Sequence, residues 1–256
     1  MQKGRTRTFV KGFDEALGGG IPERKIVLIK GSTGTMKSSL AYYILHKNAN
    51  LGKCSLYLTF EQDRQSLEQQ MLSLGLDGRE VNDKLHIFDL SKGRDKLEEV
   101  AGKLRRLSDE SRNGPLSQER REVVTLLLRR KIEDLKKKLG FELLAIDSLD
   151  ALQMVLKPRN PRAALFQLFE WLRNLGLTCF VISESPIIPA GGRGAEPQHE
   201  DFLVDGIIEL KMEPISNVDV QRRIRCIKMR GTKHSTDYYS FFCGKSDFEI
   251  AKAIVY

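Results

Sequence analysis

The stretch GSTGTMKSS, Gly31 to Ser39, follows the aliphatic run IVLIK and opens a segment of helical periodicity. That order of strand, glycine-rich loop and helix leaves few folds open. Small residues at Gly31, Ser32, Thr33, Gly34 and Thr35 allow main-chain N–H groups to close around phosphate oxygens. The N-terminus of the helix adds partial positive charge beneath them. In such a loop Lys37 reaches the β- and γ-phosphates, Ser38 offers its hydroxyl to Mg²⁺, and Ser39 continues into the first helical turn. The pattern GxxxxGK[ST] is broken once, because Met36 stands at the position of the second glycine. A Cβ there strains the loop if the backbone needs positive φ, and simply covers the site if it does not. A glycine-rich turn that happens to contain Lys and Ser is the plainer alternative, and the flanking strand and helix argue against it.

Beyond the loop, short aliphatic runs alternate with longer helical segments, the pattern of an α/β fold with a mostly parallel sheet flanked by helices. IVLIK from Ile26, CSLYLTF from Cys54, KLHIF from Lys84, FELLAID from Phe141 and LTCFVIS from Leu177 read as buried strands. Lys37 to Asn48, Asp63 to Leu74 and Arg162 to Asn174 read as helices, with Gly75 and Gly176 free to adopt positive φ at helix ends. GIIELK from Gly206, QRRIRCIKM from Gln221 and YYSFFCG from Tyr238 are successive strands separated by turns, an antiparallel extension of the sheet. The charged segment from Lys92 to Lys138, broken by Asn113, Gly114 and Pro115, reads as two helices. The second runs from about Ser117 to Leu139 with Val123, Leu126, Leu127, Ile132 and Leu135 as its packed face. Residues 1–256 are expected to form one domain that includes this segment.

Composition narrows the function classes. With 41% hydrophobic and 30% charged residues the chain suits a globular protein, and no apolar run approaches the roughly 20 residues of a membrane span. The basic N-terminus lacks an apolar stretch behind it, so no secretory signal is expected and the cytoplasm is the expected compartment. Cys54, Cys179, Cys226 and Cys243 have no CxxC or metal-ligand spacing, and Cys54 and Cys179 read as small buried thiols. The formal charge of +8 suits phosphates or nucleic acid as partner without choosing between them.

FELLAIDSLDAL ends an apolar strand in Asp147, at the crevice where α/β sheets bind ligands; a carboxylate there can hold the Mg²⁺ shell. An aliphatic run ending in Asp is weak evidence by itself and gains from the loop upstream.

Taken together, GFDEALGGGIPERKIVLIKGSTGTMKSS, LTFEQ and KMRGTKH resemble the KaiC-like members of the RecA superfamily of P-loop ATPases, over nearly the whole chain. Arg24 replaces the small residue usual before the first core strand. The resemblance implies that acids after a strand activate the attacking water, and LTFEQ supplies Glu61 followed by Gln62, a single carboxylate. One carboxylate suffices for a general base in principle. Without the resemblance, Glu61 reads as a solvent-facing strand end. KMRGTKH implies that Lys228 and Arg230 enter the ATP site of an adjacent copy and neutralise γ-phosphate charge. Taken alone, it is an exposed basic strand edge. A homo-oligomer, hexameric by resemblance, follows. The loops 156–162 and 185–198 match positions where RecA relatives place DNA-touching loops, yet neither offers stacking aromatics, and nucleic acid is not favoured. Ser183 and Glu184, by position, could sense the γ-phosphate. The expected function is Mg²⁺-dependent ATP binding and hydrolysis in a signalling or regulatory ring, with autokinase activity left open. The alternatives are a nucleotide-binding scaffold without turnover and a RecA- or RadA-like DNA-binding ATPase.

Overall fold

The computed structural model describes residues 4–81, 83–91, 118–156, 158–184, 199–216 and 218–252, the side chains of 118–123 and 199 apart. In chain order the elements are β1 (Arg5–Thr6), α1 (Phe13–Ala16), β2 (Ile21–Pro22), β3 (Ile26–Gly31), α2 (Lys37–Asn50), β4 (Ser55–Thr59), α3 (Arg64–Ser73), a 3₁₀ turn (Gly78–Val81) and β5 (Leu85–Asp89). They continue with α4 (Gln118–Leu139), β6 (Leu143–Asp147), α5 (Leu149–Leu156), α6 (Pro161–Asn174), β7 (Thr178–Glu184), α7 (His199–Leu203), β8 (Gly206–Pro214), β9 (Val220–Met229), β10 (Tyr239–Cys243) and β11 (Phe248–Lys252).

Nine strands make one sheet in the order β11-β10-β9-β8-β3-β7-β6-β4-β5. From β8 to β5 neighbouring strands run parallel, and β9, β10 and β11 are added antiparallel, the mixed sheet expected from the sequence. Strands buried on both faces explain why the aliphatic runs do not alternate with polar residues. In β3, Val27 and Ile29 join one apolar cluster, with α2 and α3, while Ile26 and Leu28 join the other, with α4, α5 and α6. Helix α2 is enclosed on nearly all sides, from Leu40 to His46 without interruption. Cys54 and Cys179 are buried thiols, as expected, and burial pushes Cys179 up to about 12.

Local signals set the helix ends. Asp63 caps α3 by accepting from the Ser66 N–H at 3.0 Å, and Gly75 and Gly176 take φ of 76° and 66°. Replacing a capping Asp by Ala costs about 1 kcal/mol. Asp63→Ala is therefore expected to lower the melting temperature by about 2–4 °C in a chain of this size, measured by calorimetry.

Several features depart from the sequence reading. Helix α4 packs through Val124, Leu128 and Ile132, with Leu135 and Leu139 beside them, whereas Leu126 is 48% exposed. At 100° per residue, Leu126 lies about 200° from Val124, on the far side of the helix. Helix α5 follows directly on β6, and β11 adds an edge strand; neither was expected. Arg230 falls in the turn after β9, not within a strand. The first helix expected in 92–138 and the loop 185–198 lie outside the described residues.

Candidate functional site

Sheet register assembles the site. Gly31 pairs with Glu184, and Thr59 pairs with Asp147, so the ends of β3, β7, β4 and β6 stand level along one edge. The loop from Ser32 to Met36, the LTFEQ stretch and the end of β7 all leave the sheet there. This is the carboxyl-end crevice where open α/β sheets take ligands.

The loop has the geometry of a phosphate cradle. A Cβ on Gly31 would stand 2.3 Å from the Leu210 carbonyl oxygen and 2.7 Å from Thr35 Oγ1, so only glycine fits there. Gly34 takes φ of 83°. Thr35 Oγ1 donates to the Ser32 carbonyl at 2.8 Å and steadies the turn. Among the described residues, no acceptor is offered to the main-chain N–H groups of Thr33 to Ser38. Met36 takes φ 74° and ψ 31°, the left-handed conformation that its glycine counterpart would reach without penalty. Such a residue costs about 1–2 kcal/mol, and packing of the partly buried Met36 side chain against the α2 core offsets part of it. Of the two consequences foreseen for the Cβ, the first is therefore met, strain in a backbone held at positive φ, and the side chain folds against the core.

Lys37 is 6% exposed, and its Nζ lies 2.9 Å from the Ser32 carbonyl and 2.7 Å from Glu184 Oε1. Thr33 Oγ1 donates to the other Glu184 oxygen at 3.3 Å. Glu184, carried over by position together with Ser183, is thus held directly on the loop. The Ser183 hydroxyl turns instead to Glu200 at 3.4 Å, on the face of α7.

Asp147 is 5% exposed and accepts from the Tyr57 hydroxyl at 2.6 Å. Burial pushes its carboxyl up, and the hydrogen bonds from Tyr57 and Ser38 oppose that shift. A hydroxyl and a carboxylate side by side are the hard oxygen donors that Mg²⁺ takes, so Ser38 and Asp147 fit a divalent cation. Glu61 is exposed at the end of LTFEQ and accepts from Ser148, the residue after Asp147. Gln62 is occupied locally, its carbonyl accepting from Thr59 Oγ1 at 2.6 Å.

The structure does not bring Lys228 and Arg230 to this site. Ile207 pairs with Lys228, and Gly206 with both Met229 and Val27, so KMRGTKH leaves the sheet at the opposite edge, where β3 begins. Lys228 Nζ donates to the Asp201 and Val204 carbonyls at 3.0 and 2.8 Å, and burial pulls its pKa down. Arg230 is half exposed beside Asp205 at 3.7 Å. Neither cation can serve its own chain's loop. From β9 it is Arg222, near the start of the strand, that stands at the loop, its Nε 3.5 Å from the Gly34 carbonyl.

Tyr57, Ser148 and Arg222 were missed by the sequence reading. Alternation in β4 would have put Tyr57 on the same face as Thr59, which faces the loop helix; nothing local pointed to Arg222. The loop at Pro158 to Asn160 lines a cavity of about 610 Å³ with Leu126 and Arg129 of α4, away from the phosphate cradle. No described helix is long and apolar enough to cross a membrane.

Comparison with known proteins gives the family. The family model for the KaiC ATPase matches residues 6–253. A UPF0273 protein of Thermotoga maritima is 31% identical over 243 residues, 93% of this chain and 91% of that protein. A UPF0273 protein of Pyrococcus furiosus is 30% identical over 242 residues, 93% of this chain and 90% of its own length. The crystal structure of a KaiC-like protein from Pyrococcus horikoshii matches with a TM-score of 0.75 at 26% identity, covering 97% of this chain and 99% of that one. The chain therefore belongs to the KaiC ATPase family, as a KaiC-like P-loop protein of the RecA superfamily.

Proposed function

We propose that this chain, acting as one domain, binds ATP with Mg²⁺ in the Gly31–Ser39 cradle and hydrolyses it within a ring whose sites are each completed by a neighbouring copy. The observation that carries the reading is the convergence, at one sheet edge, of the buried Lys37 ammonium, a run of main-chain N–H donors with no acceptor among the described residues and the Ser38–Asp147 oxygen pair. The N–H groups and Lys37 hold the phosphates. Ser38 and Asp147 hold the metal, and Tyr57 fixes the Asp147 carboxylate. A bound magnesium ion supplies charge neutralisation on the phosphates. Glu61, oriented by Ser148, accepts the proton of the attacking water. Lys228 and Arg230 lie at the wrong edge for their own site, and the carry-over from the family assigns them to the next copy's γ-phosphate. Nucleotide-linked assembly then gives a regulatory output.

A second reading, a nucleotide-binding scaffold without turnover, is favoured by the strained Met36 and the single acid at Glu61. ATP bound with no phosphate released selects it.

Light-scattering mass measured with and without ATP and Mg²⁺ tests the ring. The mass is expected to rise to a multiple, toward six copies, when both are present. Arg230→Ala is expected to lower turnover by roughly ten- to a hundredfold, Lys228 remaining, while ATP affinity changes little. A monomer under all conditions would remove the roles given to Lys228 and Arg230.

A further inference from the structure

Among the described residues, Asp147, Glu61 and Glu184 bring carboxylates to the cradle, and the ATP reading gives a task to the first two. The third, Glu184, lies closest to the loop's only lysine. One carboxylate oxygen is 2.7 Å from Lys37 Nζ and the other 3.3 Å from Thr33 Oγ1, so the group spans the mouth of the loop. Its backbone is held by the sheet and by a hydrogen bond. Glu184 is in register with Gly31 at the end of β7, and its N–H donates to Asp150 Oδ2 at 2.8 Å. A carboxylate bridging an ammonium and a hydroxyl makes the contacts that a phosphate oxygen would make there, with the same sign of charge.

We infer that Glu184 is an internal competitor for the phosphates, setting the affinity of the nucleotide site. This rests on the ATP reading above. Any phosphate that takes Lys37 must displace a carboxylate carried by the same chain, and that carboxylate then stands beside like charge unless it turns outward. Space to turn exists, because the Glu184 side chain is 42% exposed while Lys37 is 6% exposed. The lysine stays and the glutamate yields. The half-open position also limits the strength of the competition: an ion pair with one exposed partner is worth far less than a buried one. Release of that pair corresponds to roughly a twofold to fivefold change in nucleotide affinity.

The test is calorimetric titration of ATP with Mg²⁺, and of ADP, into wild type, Glu184→Gln, Glu184→Asp and Lys37→Ala, with a thermal melt of each protein in the absence of nucleotide. Glu184→Gln is expected to bind both nucleotides about two to five times more tightly while melting at a slightly lower temperature without them. Glu184→Asp keeps the charge but is shorter by one methylene, and is expected to fall between. The opposed signs are the signature, because a side chain that merely braces the loop would weaken binding and stability together. Unchanged or weaker binding by a Glu184→Gln protein with wild-type circular dichroism overturns the inference. If wild type binds, Lys37→Ala does not, and Glu184→Gln gains nothing, the inference alone falls. If neither wild type nor Glu184→Gln binds either nucleotide, the ATP reading falls and takes the inference with it.

Discussion

Lys37→Ala is expected to weaken the binding of ATP with Mg²⁺ by a hundredfold or more and to leave the fold standing. The Lys37 ammonium is 6% exposed, and its removal takes away charge-assisted hydrogen bonds to phosphate worth about 1.5–3 kcal/mol each. Two such bonds correspond to a hundred- to ten-thousandfold change in affinity. Stability should respond far less. Lys37 opens the first turn of α2, where the helix dipole disfavours a cation, and alanine is the better helix former. Its partner Glu184 is accessible to water and can be resolvated. Titration calorimetry together with a thermal melt separates the two effects. ATP affinity within threefold of wild type in a folded Lys37→Ala protein would remove the phosphate site from this loop.

Glu61→Gln is expected to lower ATP turnover by about 10² to 10⁴-fold with little change in ATP affinity. The amide keeps the shape and can still accept from Ser148, so positioning survives while basicity is lost. The effect belongs in kcat, because Glu61 touches neither the cradle amides nor Lys37. Single-turnover release of phosphate is the measurement. Wild-type rates in Glu61→Gln would move the base elsewhere; absence of turnover in both proteins would select the scaffold reading, to which the lone acid and the left-handed Met36 already point.

Of the two residues, Lys37 was legible in the local sequence whereas Glu61 came only with the family resemblance, and the reason is locality. A P-loop declares itself because consecutive residues must satisfy one backbone requirement: β3 buried on both faces, Gly31 without room for a Cβ, a lysine and a serine at the start of a helix. Asp63 at the head of α3 and Gly75 and Gly176 behind helices are the same kind of signal, set within a few residues of chain. Runs without alternation identified the parallel strands because burial on two faces removes the polar partner of every second residue.

Less legible were faces and partners. Leu126 and Leu128 carry the same side chain two residues apart, and only packing against α5 and α6 chose Leu128 for the core. Met36 admitted two outcomes until its φ was known. KMRGTKH could be assigned to a neighbouring copy by resemblance, but it was the antiparallel register of β9 on β8 that put Lys228 at the far edge and Arg222 beside the loop.

From its residues alone, then, this chain determined the α/β class, the phosphate loop and the acid at the end of β6, all of which depend on interactions within a single strand, turn or helix. Tertiary structure alone decided which side chains from distant strands share the crevice: Glu184 on Lys37, Tyr57 under Asp147, Arg222 at Gly34. The physical reason is that strand order and register are global quantities. The local period of a strand says which residues share a face, but which strand lies next to it is settled only when all of them compete for places in the same sheet.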